Sequence, residues 1–78
     1  MIEALRDFVS VATLGSFSGA ARQQNVAVSS VTRRIEGLEA ELRAKLFNRS
    51  TRVLTLTEAG QELLPRARDI LAGGGDAR

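Results

Sequence analysis

The chain has 78 residues, 44% of them hydrophobic, a formal net charge of +2, one proline, no cysteine and no histidine. This length allows one small domain, and such a domain buries only about 60% of the surface its unfolded chain exposes, so support from a partner chain is expected. Without Cys or His there is no disulfide, no thiolate metal site and no His general base, so neither an enzyme nor a metal or cofactor site is expected.

Along the chain, Ile2, Leu5, Phe8, Val9 and Ala12 follow one face of a first helix. Gly15 breaks it and Ser16 continues the turn. Ser18 is the expected N-cap of a short second helix, Gly19 to Gln24, with Phe17 ahead of it placed as a hydrophobic staple. Asn25 is the expected stop. Ala20 and Ala21 are small enough for another helix to cross closely. Val26-Ala27-Val28 reads as a turn into a third helix over about 29–42, capped by Ser29 or Ser30. There Val31, Ile35, Leu38 and Leu42 form one apolar stripe. Ser29, Thr32, Arg33, Glu36 and Gly37 lie on the opposite face, with Arg34 beside it. The pairs Glu39 with Arg43 and Glu41 with Lys45 are spaced to support the helix surface.

Leu46 and Phe47 are apolar anchors after that helix. The polar run 48–52 and the β-branched and apolar run 53–56 predict a two-stranded hairpin with a basic tip. Thr57 caps a fourth helix, with Glu58 in its first turn. Its apolar residues Leu63, Leu64, Ala67, Ile70 and Leu71 spread over a wide face that either packs entirely on this domain or leaves part for a second chain; its width for so small a core favours a homodimer through this helix. Pro65 should bend it, and the glycines from 73 end it.

Two helices joined by a tight turn, the second basic on its free face, make a helix-turn-helix. An α-helix fits the major groove of B-DNA, where its first residues reach base edges. Charge placement agrees. Residues 22–52 carry Arg22, Arg33, Arg34, Arg43, Lys45, Arg49 and Arg52 against Glu36, Glu39 and Glu41, whereas residues 53–78 are slightly acidic. Such a field suits a polyanion, although a solvated basic face has the same composition. Ser18 and Ser29 stand at helix starts, where unpaired amides favour phosphate oxygens. Arginines of the hairpin offer a second contact, along the phosphates or in a narrow minor groove; the alternative for Arg49 and Arg52 is pairing with a carboxylate at the edge of the core. The chain opens without a signal-peptide pattern, and no run approaches the ~20 apolar residues of a membrane span. No membrane association and a cytoplasmic location are expected.

The segments Ser16-Phe17-Ser18-Gly19-Ala20-Ala21, Val31-Thr32-Arg33-Arg34-Ile35, Leu38-Glu39-Ala40-Glu41-Leu42, Leu46-Phe47-Asn48-Arg49 and Leu56-Thr57-Glu58-Ala59-Gly60 occur in this order. Together they resemble the amino-terminal domain of LysR-type transcriptional regulators, over residues 2 to about 71. The resemblance implies a mainly α winged helix-turn-helix: a three-helix core, a short β-hairpin wing and a C-terminal linker helix. It implies bacterial regulators that bind palindromic promoter DNA as dimers or tetramers, paired by the long helix after the wing. It implies a phosphate contact for Ser18, a groove-facing position for Thr32 and Arg33, and a wing position for Arg49 and Arg52. With these go Val28, Ser29 and Arg34 as further candidate DNA contacts.

Four departures qualify the resemblance. Val28 stands where a glutamine often contacts a base, leaving only apolar contact with a thymine methyl. Gln24 replaces a common apolar residue and is expected to loosen the turn. Arg43 stands where glycine usually ends the reading helix, so the helix either stops differently or holds Arg43 in a less favourable conformation. Finally, the chain ends where the family continues into a hinge and a ligand-sensing domain, so a small-molecule effector is expected only for a full-length protein. The expected organisation is a DNA-binding domain at 1–57, a linker and dimerisation helix at 58–72 and a flexible tail at 73–78. The competing function is a small helical protein-interaction module without specific DNA readout.

Overall fold

In the computed structural model, residues 2–49 and 52–73 are described. The expected hairpin tip at Ser50 and Thr51 and the tail beyond residue 73 lie outside them. The chain forms four helices, α1 (Ile2–Leu14), α2 (Phe17–Gln24), α3 (Val28–Leu42) and α4 (Glu58–Leu71), with a two-stranded antiparallel hairpin of β1 (Phe47–Asn48) and β2 (Thr55–Leu56) between α3 and α4. Phe47 pairs with Leu56 and Asn48 with Thr55. α1 packs against α2, α3 and α4, so it is the central helix.

The α1–α2 turn differs from the sequence expectation. Gly15 takes a left-handed φ of 68° and its N–H donates to Val11 O at 2.7 Å. Ser16 then turns to an extended conformation, and its Oγ accepts from Gly19 N at 2.9 Å. Ser16, not Ser18, is therefore the cap. A cap must stand just outside the helix to reach the amides two or three residues on, and Ser18 already lies within the first turn. Phe17 likewise begins the helix rather than preceding it. Asn25 ends α2 as expected, with φ 60°, and Val26 N donates to Ala21 O at 3.0 Å to close the turn.

α3 starts at Val28, one residue before the expected start. Its N-cap is Ala27, whose methyl group accepts no hydrogen bond, and Ser29 and Ser30 sit inside the first turn rather than capping it. At the other end Arg43 adopts a left-handed φ of 57°, and Ala44 N donates to Glu39 O at 3.1 Å. A non-glycine residue in that region costs about 1–2 kcal/mol. Of the predicted apolar stripe, Val31, Ile35 and Leu38 are buried, but Leu42 is 45% exposed because the core ends one turn before it. Gly37 is exposed, and a Cβ there would meet nothing within 4 Å. Gly37→Ala should stabilise the domain by about 0.5–1 kcal/mol, read as a higher urea midpoint with unchanged slope. A lower midpoint would mean that this position carries a contact on the helix surface.

The hairpin is held at its base. Phe47 packs its ring 5.4 Å from that of Phe8 on α1 and 5.7 Å from that of Phe17 on α2. Thr57 does three things at the start of α4. Its N–H donates to Leu46 O at 3.0 Å, its Oγ1 donates to Lys45 O at 2.6 Å, and the same oxygen accepts from Gly60 N at 3.1 Å. α4 runs on through Pro65. Ala67 is fully buried in the core with Phe8, Val11 and Leu46, so its side chain is committed to this chain's own interior.

Candidate nucleic-acid interface

Burial divides α3 into two faces. Ser29, Arg33 and Glu36 are exposed opposite the buried stripe, Thr32 is half-buried at its edge, and Val28 stands exposed at the first turn. No side chain caps the first-turn amides, so this end presents N–H groups outward. Among the described residues no carboxylate lies within ion-pair distance of Arg33. Its charge is therefore available, on the side of the helix that faces away from the core.

Arg34 is placed otherwise. Its Nη1 lies 3.1 Å from Asp7 Oδ2, and its side chain is 35% exposed. Helical geometry turns it toward α1, away from Ser29 and Arg33, so its charge is engaged inside the domain rather than left free beside theirs. Asp7 was not foreseen at all, since a carboxylate on the first helix reads as surface. It is fully buried, and it also accepts from Gln24 Nε2. Gln24 is thus tied to α1, and the turn it was expected to loosen is anchored instead.

Burial pushes the Asp7 carboxyl above its ordinary value of 3.8, and the attraction of Arg34 only partly opposes this. A raised carboxyl favours the folded state when protonated. Its stabilising effect is complete below 3.8 and is lost as the pH rises through the higher folded value. The stability of the wild type relative to Asp7→Asn should therefore fall as the acidic range is crossed upward, measured by urea unfolding at successive pH values. A difference that grew with pH would mean that Arg34 outweighs burial.

The wing arginines part company. The Arg49 guanidinium lies 4.5 Å above the Phe17 ring, and 3.9 Å from both Glu36 Oε2 and Glu39 Oε1. Glu39 is itself buried, accepting from Leu46 N at 2.8 Å, with Lys45 Nζ at 3.9 Å. The expected surface pairing of Glu39 with Arg43 is replaced by this inward one, because Arg43 leaves the helix at its left-handed cap. Arg49 thus joins the wing to α2 and α3, and its contacts with Phe17 and Glu39 came from parts of the chain that no local pattern connects. Arg52 is exposed. Gly15, Ser16, Phe17, Arg49, Arg52 and Leu54 line one notch, which places both wing arginines beside the start of α2. Ser18 is exposed in the first turn of that helix.

On α4, Ile70 is 47% exposed, whereas Leu63, Leu64 and Leu71 are half-buried against the core. No described helix is long and apolar enough to cross a membrane.

Residues 2–61 match the bacterial regulatory helix-turn-helix proteins of the lysR family. The chain belongs to that family. Among LysR-family relatives, it is 41% identical over 70 residues to YbhD of Escherichia coli K12, an uncharacterized HTH-type transcriptional regulator, covering 90% of this chain and 22% of YbhD. It is 52% identical over 54 residues to the HTH-type transcriptional activator AaeR of the same organism, covering 69% of this chain and 18% of AaeR. The chain therefore spans only a part of these regulators. Its winged helix-turn-helix fold is that of solved LysR structures. The BenM DNA-binding domain in complex with catB site 1 DNA has a TM-score of 0.89 and 32% identity, covering 94% of this chain and 81% of that one. Oxidized OxyR of Corynebacterium glutamicum has a TM-score of 0.89 and 34% identity, over 95% of this chain and 24% of that one.

Proposed function

We propose that this LysR-type domain binds double-stranded DNA in a sequence-specific manner, with α3 in the major groove and the wing near the minor groove or backbone. One observation carries the reading: the fold is shared with a LysR domain seen on its DNA site. The exposed Arg33 and the uncapped start of α3 support it. In this reading Val28, Ser29, Thr32 and Arg33 face the bases, and Ser18, Arg49 and Arg52 lie along the backbone. Residues 1–57 form the reading unit and 58–72 the linker helix, which also closes the core through Ala67. The protein would act in the cytoplasm as a homodimer on a partly palindromic site, as part of a transcriptional regulator.

Leu63, Leu64, Ile70 and Leu71, with the exposed Leu42 nearby, are the residues offered to a second copy. Selecting bound duplexes from a random pool at two salt concentrations tests the DNA reading. One motif should be enriched, and its affinity should fall steeply with salt. Enrichment of no motif would sink specific readout. Sedimentation of the free domain tests the dimer, and Ile70→Asp should shift it toward monomer.

A further inference from the structure

The Asp7 carboxylate ties three helices together at one point. Its Oδ1 accepts from Gln24, the last residue of α2, and its Oδ2 accepts from Arg34, in the second turn of α3, at 3.1 Å. Asp7 itself lies midway along α1 and is fully buried. An ionised group in such a place carries a desolvation cost that an apolar side chain would avoid. The apolar contacts that pack α1, α2 and α3 together are not directional. The hydrogen bonds of Asp7 are directional and add an orientation that apolar contact does not specify. Arg34 also lines a groove between α1 and α3 with the carboxylates of Glu3 and Glu41, a flank poorly suited to phosphate.

We infer that Asp7 is a positioning residue for base readout, which fixes α3 against α1 and α2 and holds the Arg34 guanidinium away from the DNA. The inference rests on the DNA-binding reading of α3. It predicts that discrimination between duplexes depends on a side chain that touches none.

The test compares Asp7→Asn, Arg34→Gln and the double variant with the wild type, after circular dichroism confirms folding. Affinity is measured for the selected duplex and for a random-sequence duplex across salt concentrations. Each single variant should lower the ratio of the two affinities by about tenfold, the size of one mismatched base pair. The double variant should lose no more than either single one, because the same tie is cut once. Arg34→Gln should keep the salt slope of the wild type. Partial unfolding lowers both affinities together and leaves their ratio unchanged. The double variant buries no unpaired charge and carries the test if the single variants fail to fold. An unchanged ratio in the double variant would overturn the inference. So would a salt slope shallower by about 0.9 in Arg34→Gln, which would make Arg34 a phosphate contact. A wild type that preferred no duplex would instead overturn the DNA reading itself.

Discussion

Gly60→Ala is expected to destabilise the domain by about 3 kcal/mol, the upper part of the usual range for overpacking. An added Cβ at Gly60 would stand 2.3 Å from Leu46 O and 2.8 Å from Leu56 Cδ2. The leucine methyl could turn aside. The carbonyl oxygen could not, because it is main chain and already accepts from Thr57 N at 3.0 Å. Relief would require α4 to move away from the segment at Leu46 that leads into β1. Thr57 would then lose its bond to Lys45 O, and the hairpin base would loosen. For a domain of this size the melting temperature should drop by more than about 10 °C. Urea unfolding and circular dichroism measure the effect. A loss below about 1 kcal/mol would show that α4 shifts freely, and that the close approach at Gly60 does not hold the wing.

Arg33→Ala should reduce affinity for the selected duplex by about 1–3 kcal/mol and relax preference at one base pair. Stability should change by less than about 0.5 kcal/mol, since the side chain is exposed and no carboxylate pairs with it among the described residues. This separation of effects makes Arg33 the most informative position in the interface. Arg49→Ala could not give it, because it would also remove the cation held 4.5 Å over Phe17 and one of the two counter-charges of buried Glu39. Its affinity loss would mix contact with folding. Competition of the selected duplex against single-base variants is the appropriate measurement for Arg33. Unchanged affinity for both selected and random duplexes would remove Arg33 from the reading surface.

The sequence by itself determined the order of elements. Apolar spacing marked the helices, Gly15 and Asn25 marked two of the breaks, and Thr57 marked the start of α4. These signals act within a few residues, so they survive without tertiary information. The start of α3 was legible to within one residue. The caps were less so. Ser16 and Ser18 are chemically alike, and only the left-handed Gly15 puts the first of them in reach of Gly19 N. Ser29 was misread for a similar reason, since helical pairing begins at an alanine that carries no signal.

Only the tertiary structure decided what each charge does. Arg33, Arg34 and Arg49 look equivalent in a basic stretch. Their partners come from distant parts of the chain: Asp7 for Arg34, and Phe17, Glu36 and Glu39 for Arg49. Ion pairs and ring contacts form through space, so local spacing cannot predict them. The same holds for Gly60, which is demanded by a carbonyl fourteen positions earlier, and for Ala67, which belongs to the core rather than to a second chain. Local chemistry set where the reading helix lies, and packing between helices left Arg33 as its uncommitted cation.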